Sequence, residues 1–244
     1  MRPDLPALYA AVDGTWPAAR IVEAGPWLLR EGGGGGKRVS CASAAGAWTA
    51  DDIPAAAKAM QLLGQDPLFM IRVGDDALDA ALQDEGFDVI DPVNLWLIPV
   101  ERLTDLKIPR LTTFACWEPL AILREIWAEA GIGEARLRVM ARTTGPRTAI
   151  MGRLSDRPAG AGFCAVYNGI AMVHALEIRA EHRGQGLGKW MMRHAAQWAE
   201  AEGAAWMAVL CLKDNGPANG LYASLGFECV GQYHYRIRQG NRDD

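Results

Sequence analysis

Apolar residues fall into short runs broken by glycine, proline and acidic clusters, and helical and strand spacings alternate along the chain. Pro26-Trp27-Leu28-Leu29-Arg30 reads as a strand. The run Gly32 to Gly36 follows, and then Lys37-Arg38-Val39-Ser40-Cys41. No helix signal follows these glycines, so they read as a hairpin tip between two strands. Asp51-Asp52-Ile53-Pro54 opens a helix, with acidic residues in its first turn, that runs to about Leu63 and stops at Gly64. Leu68 to Val73 is a short apolar strand. Asp75 to Glu85 places Leu78, Ala81 and Leu82 at helical spacing and ends at Gly86. Val93 to Val100 is a further strand, and the polar stretch Glu101 to Arg110, with Pro109, reads as a linker.

The second half opens with helices at about Glu118–Ala130 and Glu134–Arg142, the first turning Leu120, Leu123 and Trp127 inward. Strands follow at Thr148–Leu154, Gly162–Tyr167 and Ala171–Ile178. The turns between them are Asp156-Arg157-Pro158 and Asn168-Gly169, the latter a strong hairpin signal. Leu187 to Ala201 is a helix with Leu187, Met191, Ala195 and Trp198 on one stripe. Strand Trp206–Leu212, helix Pro217–Leu225 and strand Glu228–Arg238 complete the chain. Trp127, Trp198 and Trp206 read as core, since no basic interleaving accompanies them. Glu85-Gly86-Phe87 and Leu225-Gly226-Phe227 each follow a helix and precede a strand, about 140 positions apart. This echo suggests two related units.

The chain has 244 residues, half of them apolar and 22% charged, which suits one large globular domain or two small ones. A net charge of −4 argues against general nucleic-acid binding, which needs basic surface to displace counterions. No apolar run approaches the roughly 20 residues that span a bilayer, so no membrane partner is expected. Met1-Arg2-Pro3-Asp4 is not followed by the continuous apolar h-region of a signal peptide, so no secretory leader is expected. Cys41, Cys116, Cys164, Cys211 and Cys229 are dispersed, without a Cys-x-x-Cys pair. With four histidines there is no zinc spacing, and no metal is expected. Dispersed, odd-numbered cysteines suit reduced thiols in the cytoplasm.

The densest chemistry is Arg183-Gly184-Gln185-Gly186-Leu187-Gly188, set between a strand and a helix. Glycines there bare backbone N–H groups at a helix N-terminus, where the dipole favours phosphate. A dinucleotide fingerprint needs Gly-x-Gly-x-x-Gly, and here the third glycine comes one position early. A P-loop needs Ser or Thr after Gly-Lys, and Trp190 follows Lys189.

With its flanking elements, this turn resembles the signature of the GNAT superfamily of acyl-CoA-dependent N-acetyltransferases. The signature Arg/Gln-x-x-Gly-x-Gly/Ala is met by Arg183, Gly186 and Gly188. Asn215, Tyr222 and Leu225-Gly226-Phe227 agree with it. The resemblance covers about residues 111–240. It implies an α+β fold with a mixed, largely antiparallel sheet flanked by helices, in two tandem units. Residues 111–240 would be the catalytic domain, and residues 1–102 a degenerate GNAT-like or unrelated α+β unit without the glycine turn.

The resemblance further implies acetyl-CoA as cosubstrate. Its pyrophosphate would lie on the N–H groups of Arg183, Gly184, Gln185, Gly186, Leu187, Gly188 and Lys189. Its pantetheine would lie along Leu176, Glu177 and Ile178, with Asn215 as a further contact. Tyr222 would be the general acid, since a phenol near pKa 10 is protonated at neutral pH. The base is His174, Glu177 or a water chain. Strand parity cannot choose between the two side chains, because a bulge in this strand would break the alternation. The expected reaction is acetyl transfer to a primary amine, small molecule or peptide, by a monomer or homodimer. The alternative is an acyl-CoA-binding module without turnover.

Overall fold

Among residues 1–238, which the computed structural model describes, seven α-helices alternate with strands in the order α1 (Leu5–Thr15), β1 (Arg20–Ala24), β2 (Trp27–Glu31), β3 (Ala42–Ala44), α2 (Asp52–Leu62), β4 (Leu68–Ile71), α3 (Asp76–Asp84), β5 (Asp88–Pro99), β6 (Thr113–Cys116), α4 (Ala121–Glu129), α5 (Glu134–Arg142), β7 (Arg147–Leu154), β8 (Arg157–Tyr167), β9 (Ile170–Ile178), α6 (Leu187–Ala201), β10 (Trp206–Leu212), α7 (Gly216–Ser224) and β11 (Glu228–Ile237). Most neighbouring strands are antiparallel. The β3–β4 and β9–β10 pairs are parallel. This is the mixed α+β architecture expected from the sequence. No described helix is long and apolar enough to cross a membrane.

The chain forms two compact units, and their boundaries differ from the expected division near residues 102–111. One unit comprises Met1–Pro17 and Leu95–Val230, and the other Ala18–Asn94 and the chain from Gly231 onward. The boundaries therefore fall inside β5 and β11, two strands that the sequence assigns whole to one half or the other. Residues 239 and 240 of the expected catalytic domain lie outside the described residues.

In the first unit the strand order is β5-β10-β9-β8-β7-β6. Its core gathers Ile98 and Val100 from β5 and the turn after it, Ile150, Cys164 and Val173 from the sheet, and Leu187, Met191 and Ala195 from α6. Trp127 is wholly buried as expected, whereas Trp198 and Trp206 are only half-buried. The indole of Trp206 instead donates to the Met1 carbonyl at 2.9 Å.

Helix α1 had no sequence prediction, because Pro6 near its start and Gly14 near its end interrupt the pattern. Asp4 caps it by accepting from the Ala7 N–H at 2.9 Å. Gly14 is required by packing, since a Cβ there would lie 2.2 Å from the Tyr167 ring of β8.

Other differences have local causes. The expected helix from Glu118 begins at Ala121, because Pro119 disfavours helical geometry in the residue before it. The short edge strand β6 carries too few residues for a readable alternation. The hairpin turn expected at residues 156–158 sits at Ser155-Asp156, both at positive φ as in Asn168-Gly169, and Pro158 is already in β8. Lys37–Val39 is a 3-10 turn rather than a strand.

The second unit orders its strands β1-β2-β3-β4-β11. Its core includes Trp27, Phe69 and Phe87, with ring centroids 5.3 Å and 5.4 Å apart in succession. The predicted echo is visible in the backbone. Gly86 and Gly226 both take positive φ. Their N–H groups bond to Gln83 and Ala223, and those of Phe87 and Phe227 to Leu82 and Tyr222. Each residue of the second set lies 140 positions after its counterpart. At the place of Tyr222, the earlier turn carries Leu82.

Candidate active site

Strand β9 has two irregularities that build the site. First, its pairing with β8 shifts register: Ala161 faces Glu177 and Phe163 faces His174. Ala175 and Leu176 thus share one opposing residue, Gly162, with Ala175 at φ +49°. This is a β-bulge, and it returns Glu177 to the sheet face that carries His174. The buried Trp127 of α4 holds it by donating its indole N–H to the Ala175 carbonyl at 2.8 Å. Second, the parallel pairing of β9 with β10 runs from Ile170/Trp206 only to Val173/Val209. Beyond it the two strands part, although β9 continues to Ile178 and β10 to Leu212.

A cavity of about 710 Å³ opens where they part, within the usual size range of small-molecule sites. Leu176, Glu177 and Ile178 line it from β9, and His182, Arg183, Gly184, Gly186, Leu187, Gly188 and Lys189 from the turn and the start of α6. The third side comes from α7 and the residue before it: Asn215, Pro217, Ala218, Gly220, Leu221, Tyr222 and Ser224. Sequence reasoning missed His182 and most of the α7 wall. The motif marks the turn, while this wall is assigned only by the splay.

Gly186 is the residue before α6, in left-handed geometry at φ +81°. No side chain caps the helix, so the N–H groups of Leu187 and Gly188 stay available to an anion at the positive end of a four-turn helix. Those of Arg183 and Lys189, also expected to hold phosphate, already donate to the Ala180 and Gly186 carbonyls at 3.3 Å and 3.1 Å. Gly188 is a close-approach position. A Cβ there would lie 3.1 Å from Leu221 and 3.3 Å from Ile178. Arg183 is tied by its Nε to the Ile178 carbonyl at 2.9 Å, which holds its charge beside the turn. The Gln185 side chain does not line this cavity. It donates to the Glu181 carbonyl at 3.3 Å and borders a neighbouring hollow with Arg153 and Trp190.

Asn215 caps α7 by accepting from the Ala218 N–H at 3.1 Å. With the oxygen so engaged, the amide hydrogens are what it can offer a ligand.

The two candidate bases sit differently. Glu177 lines the cavity and is half-buried. Burial raises its pKa above the ordinary carboxylate value, while Arg183 and Arg136 pull the other way. His174 is buried and does not border the cavity. It packs 5.0 Å from the Trp16 ring and 6.2 Å from Phe163. Its Nε2 lies 2.9 Å from Thr15 Oγ1, which in turn donates to the Ala11 carbonyl at 2.7 Å. A hydroxyl has one proton, so Thr15 must accept from His174. The network therefore assigns the proton to Nε2.

Tyr222 is buried against Phe227, ring centroids 5.7 Å apart. Burial, reinforced by Cys211 and Glu177, pushes its hydroxyl pKa well above the ordinary phenol value. Burial likewise raises the Cys211 thiol, to about 11, with Asp214 adding to it. At neutral pH Cys211 is a neutral thiol and a poor nucleophile.

Residues 114–227 match the profile of the acetyltransferase (GNAT) family, a span that runs from β6 to the Gly-Phe turn after α7. Over 241 residues the chain is 27% identical to the uncharacterized N-acetyltransferase YobR of Bacillus subtilis, covering 92% of this chain and 95% of that one. The fold resembles a GCN5-related N-acetyltransferase from Kribbella flavida, with a TM-score of 0.68, 21% identity and 96% of each chain covered. It also resembles a tandem GNAT protein from the clavulanic acid biosynthesis pathway, with a TM-score of 0.57, 16% identity, and 77% and 68% of the two chains covered. The family match and the relatives together support one class, an acyl-CoA-dependent N-acetyltransferase. The match to the GNAT family is carried by residues 114–227.

Proposed function

We propose that the protein transfers the acetyl group of acetyl-CoA to a primary amine, of a small molecule or a peptide, by direct attack within a ternary complex. The observation that carries this reading is the cavity itself: one space joins an uncapped helix N-terminus, an unpaired strand edge, a half-buried carboxylate and a buried phenol. Acetyl-CoA supplies the thioester. The N–H groups between Arg183 and Lys189 receive its pyrophosphate, and the edge of β9 at Leu176–Ile178 aligns the pantetheine as an added strand.

Glu177 accepts the amine proton as the C–N bond forms, and Tyr222 donates its proton to the sulfur as the C–S bond breaks. Glu177 is preferred to His174 because it borders the cavity, and burial raises its pKa, the direction that makes a carboxylate a stronger base. The test is thiol release from acetyl-CoA with a panel of amines. Turnover that depends on Tyr222 supports the reading. Tight CoA binding without turnover across the panel would assign a binding module instead.

The second unit is proposed as a degenerate copy without a donor site. At the N-terminus of α2 the carboxylate of Asp52 already accepts from the Thr49 N–H at 2.8 Å and its hydroxyl at 2.9 Å. Acid occupies the place that a phosphate would need, and no hydroxyl stands at Leu82. CoA should titrate to one equivalent per chain, and a second site of similar affinity would overturn this.

A further inference from the structure

The α7 wall of the cavity depends on one side-chain amide. Asn219 Nδ2 lies 2.8 Å from the Leu212 carbonyl, 2.8 Å from that of Asn215 and 3.4 Å from that of Lys213. It thereby gathers the loop that joins β10 to α7 and presents Asn215. An amide has two ends of nearly equal size, so shape does not decide which end faces the loop. The decision comes from Trp96. Its indole N–H can only donate, and it meets Asn219 Oδ1 at 3.0 Å. With the oxygen held there, Nδ2 must face the carbonyls. A flipped amide would set oxygen against oxygen.

Trp96 lies on β5, outside the family-matched residues 114–227, and packs against the core of the first unit. The second unit repeats the device with other chemistry. Arg236 of β11 bonds through Nε to Asp79 of α3 at 2.7 Å. Arg236 and Trp96 are 140 positions apart, and so are Asn219 and Asp79. In both copies the late strand donates to the same helix position, which marks the contact as a built tether rather than an incidental one.

We propose that Trp96 is a positioning residue for acyl-CoA: it sets the orientation of the Asn219 amide, and through it the loop 212–215 that borders the donor cavity. The inference rests on the donor-site reading above.

The test uses the full chain, with CoA as the titrant. Trp96→Phe keeps an aromatic ring, though a smaller one, and removes the donor. It should weaken CoA binding about fivefold, the scale of one hydrogen bond. With any amine that turns over, the loss should fall on KM for acetyl-CoA rather than on kcat. Asn219→Ala should weaken binding further, and the double variant should match Asn219→Ala alone. Unaltered CoA affinity in Trp96→Phe, a lowered melting temperature as its sole effect, or additive losses in the double variant would overturn the tether. The unmodified chain is titrated alongside. If it fails to bind CoA, the donor-site reading falls too. If it binds and Trp96→Phe binds equally well, the tether alone falls.

Discussion

Tyr222 holds a proton that burial makes hard to remove, and the proposed mechanism needs such a group at the leaving sulfur. Replacing it with Phe removes the proton and almost no volume. Turnover should fall about 10²-fold or more, the usual scale of a lost general acid, with CoA affinity within about twofold of the parent. Retained turnover in that variant would remove Tyr222 from the chemistry. Glu177 makes a separate prediction in pH. Its raised pKa means that the base form is lost, as pH falls, earlier than for an ordinary carboxylate near 4.3. The rate should therefore decline below a limb lying above that value. Glu177→Gln should flatten the limb along with lowering the rate, and an unmoved limb would point to another base.

These residues were readable because their signals are local: a glycine turn, an Asn-Gly turn, a tyrosine one helical turn before Gly-Phe. The choice between His174 and Glu177 was not readable. It depends on the bulge at Ala175, which arises from pairing with β8 and from an indole 48 positions away.

At the scale of elements, helix ends carry the donor site. Asn215 caps α7 and borders the cavity, so Asn215→Ala should cost stability as well as donor affinity. About 1 kcal/mol is typical of a lost cap, to be read from denaturant midpoints. Asn215→Asp should restore the cap and not the amide donors, which separates the two roles. Helix α3 offers a pH test. Arg236 holds the Asp79 carboxyl below its ordinary pKa, with His234 also contributing at 2.8 Å. A depressed pKa stabilises the fold above the unfolded value near 3.9 and ceases to do so as pH falls through the lower folded value. Asp79→Asn should therefore lower the urea midpoint at pH 7 and differ less from the parent at pH 3. An equal deficit at both would overturn the assignment. Helices with clean apolar stripes, such as α6, were legible to the residue. Helix α1 was not, because the reason for its Gly14 is a ring more than 150 positions away.

At the scale of the molecule, the first unit needs Met1–Pro17 and Leu95–Val230. A chain beginning at residue 104 would contain the whole family-matched segment and still lack α1 and β5. It should fail to give a cooperative melt or CoA binding, and retention of both would refute the division. Sequence could not reveal this. The second halves of β5 and β11 have similar apolar patterns, Leu95-Trp96-Leu97 against Tyr235-Arg236-Ile237, and either satisfies the rules for a sheet strand. Only the pairing observed, β11 with β4 and β5 with β10, assigns them.

The crossing of the units within β5 and β11 also orders events at birth. The unit that starts at Ala18 takes its closing strand from Gly231 onward, 160 positions after the end of β4 at Ile71. Its β4 edge must wait for those intervening residues to be made with its hydrogen-bonding groups toward β11 unmet. Such an edge is a template for pairing with the wrong chain. The nascent protein therefore gains little from the usual advantage of domains, which is to fold one at a time as they emerge, and its yield in the cell should depend on how well that waiting edge is shielded.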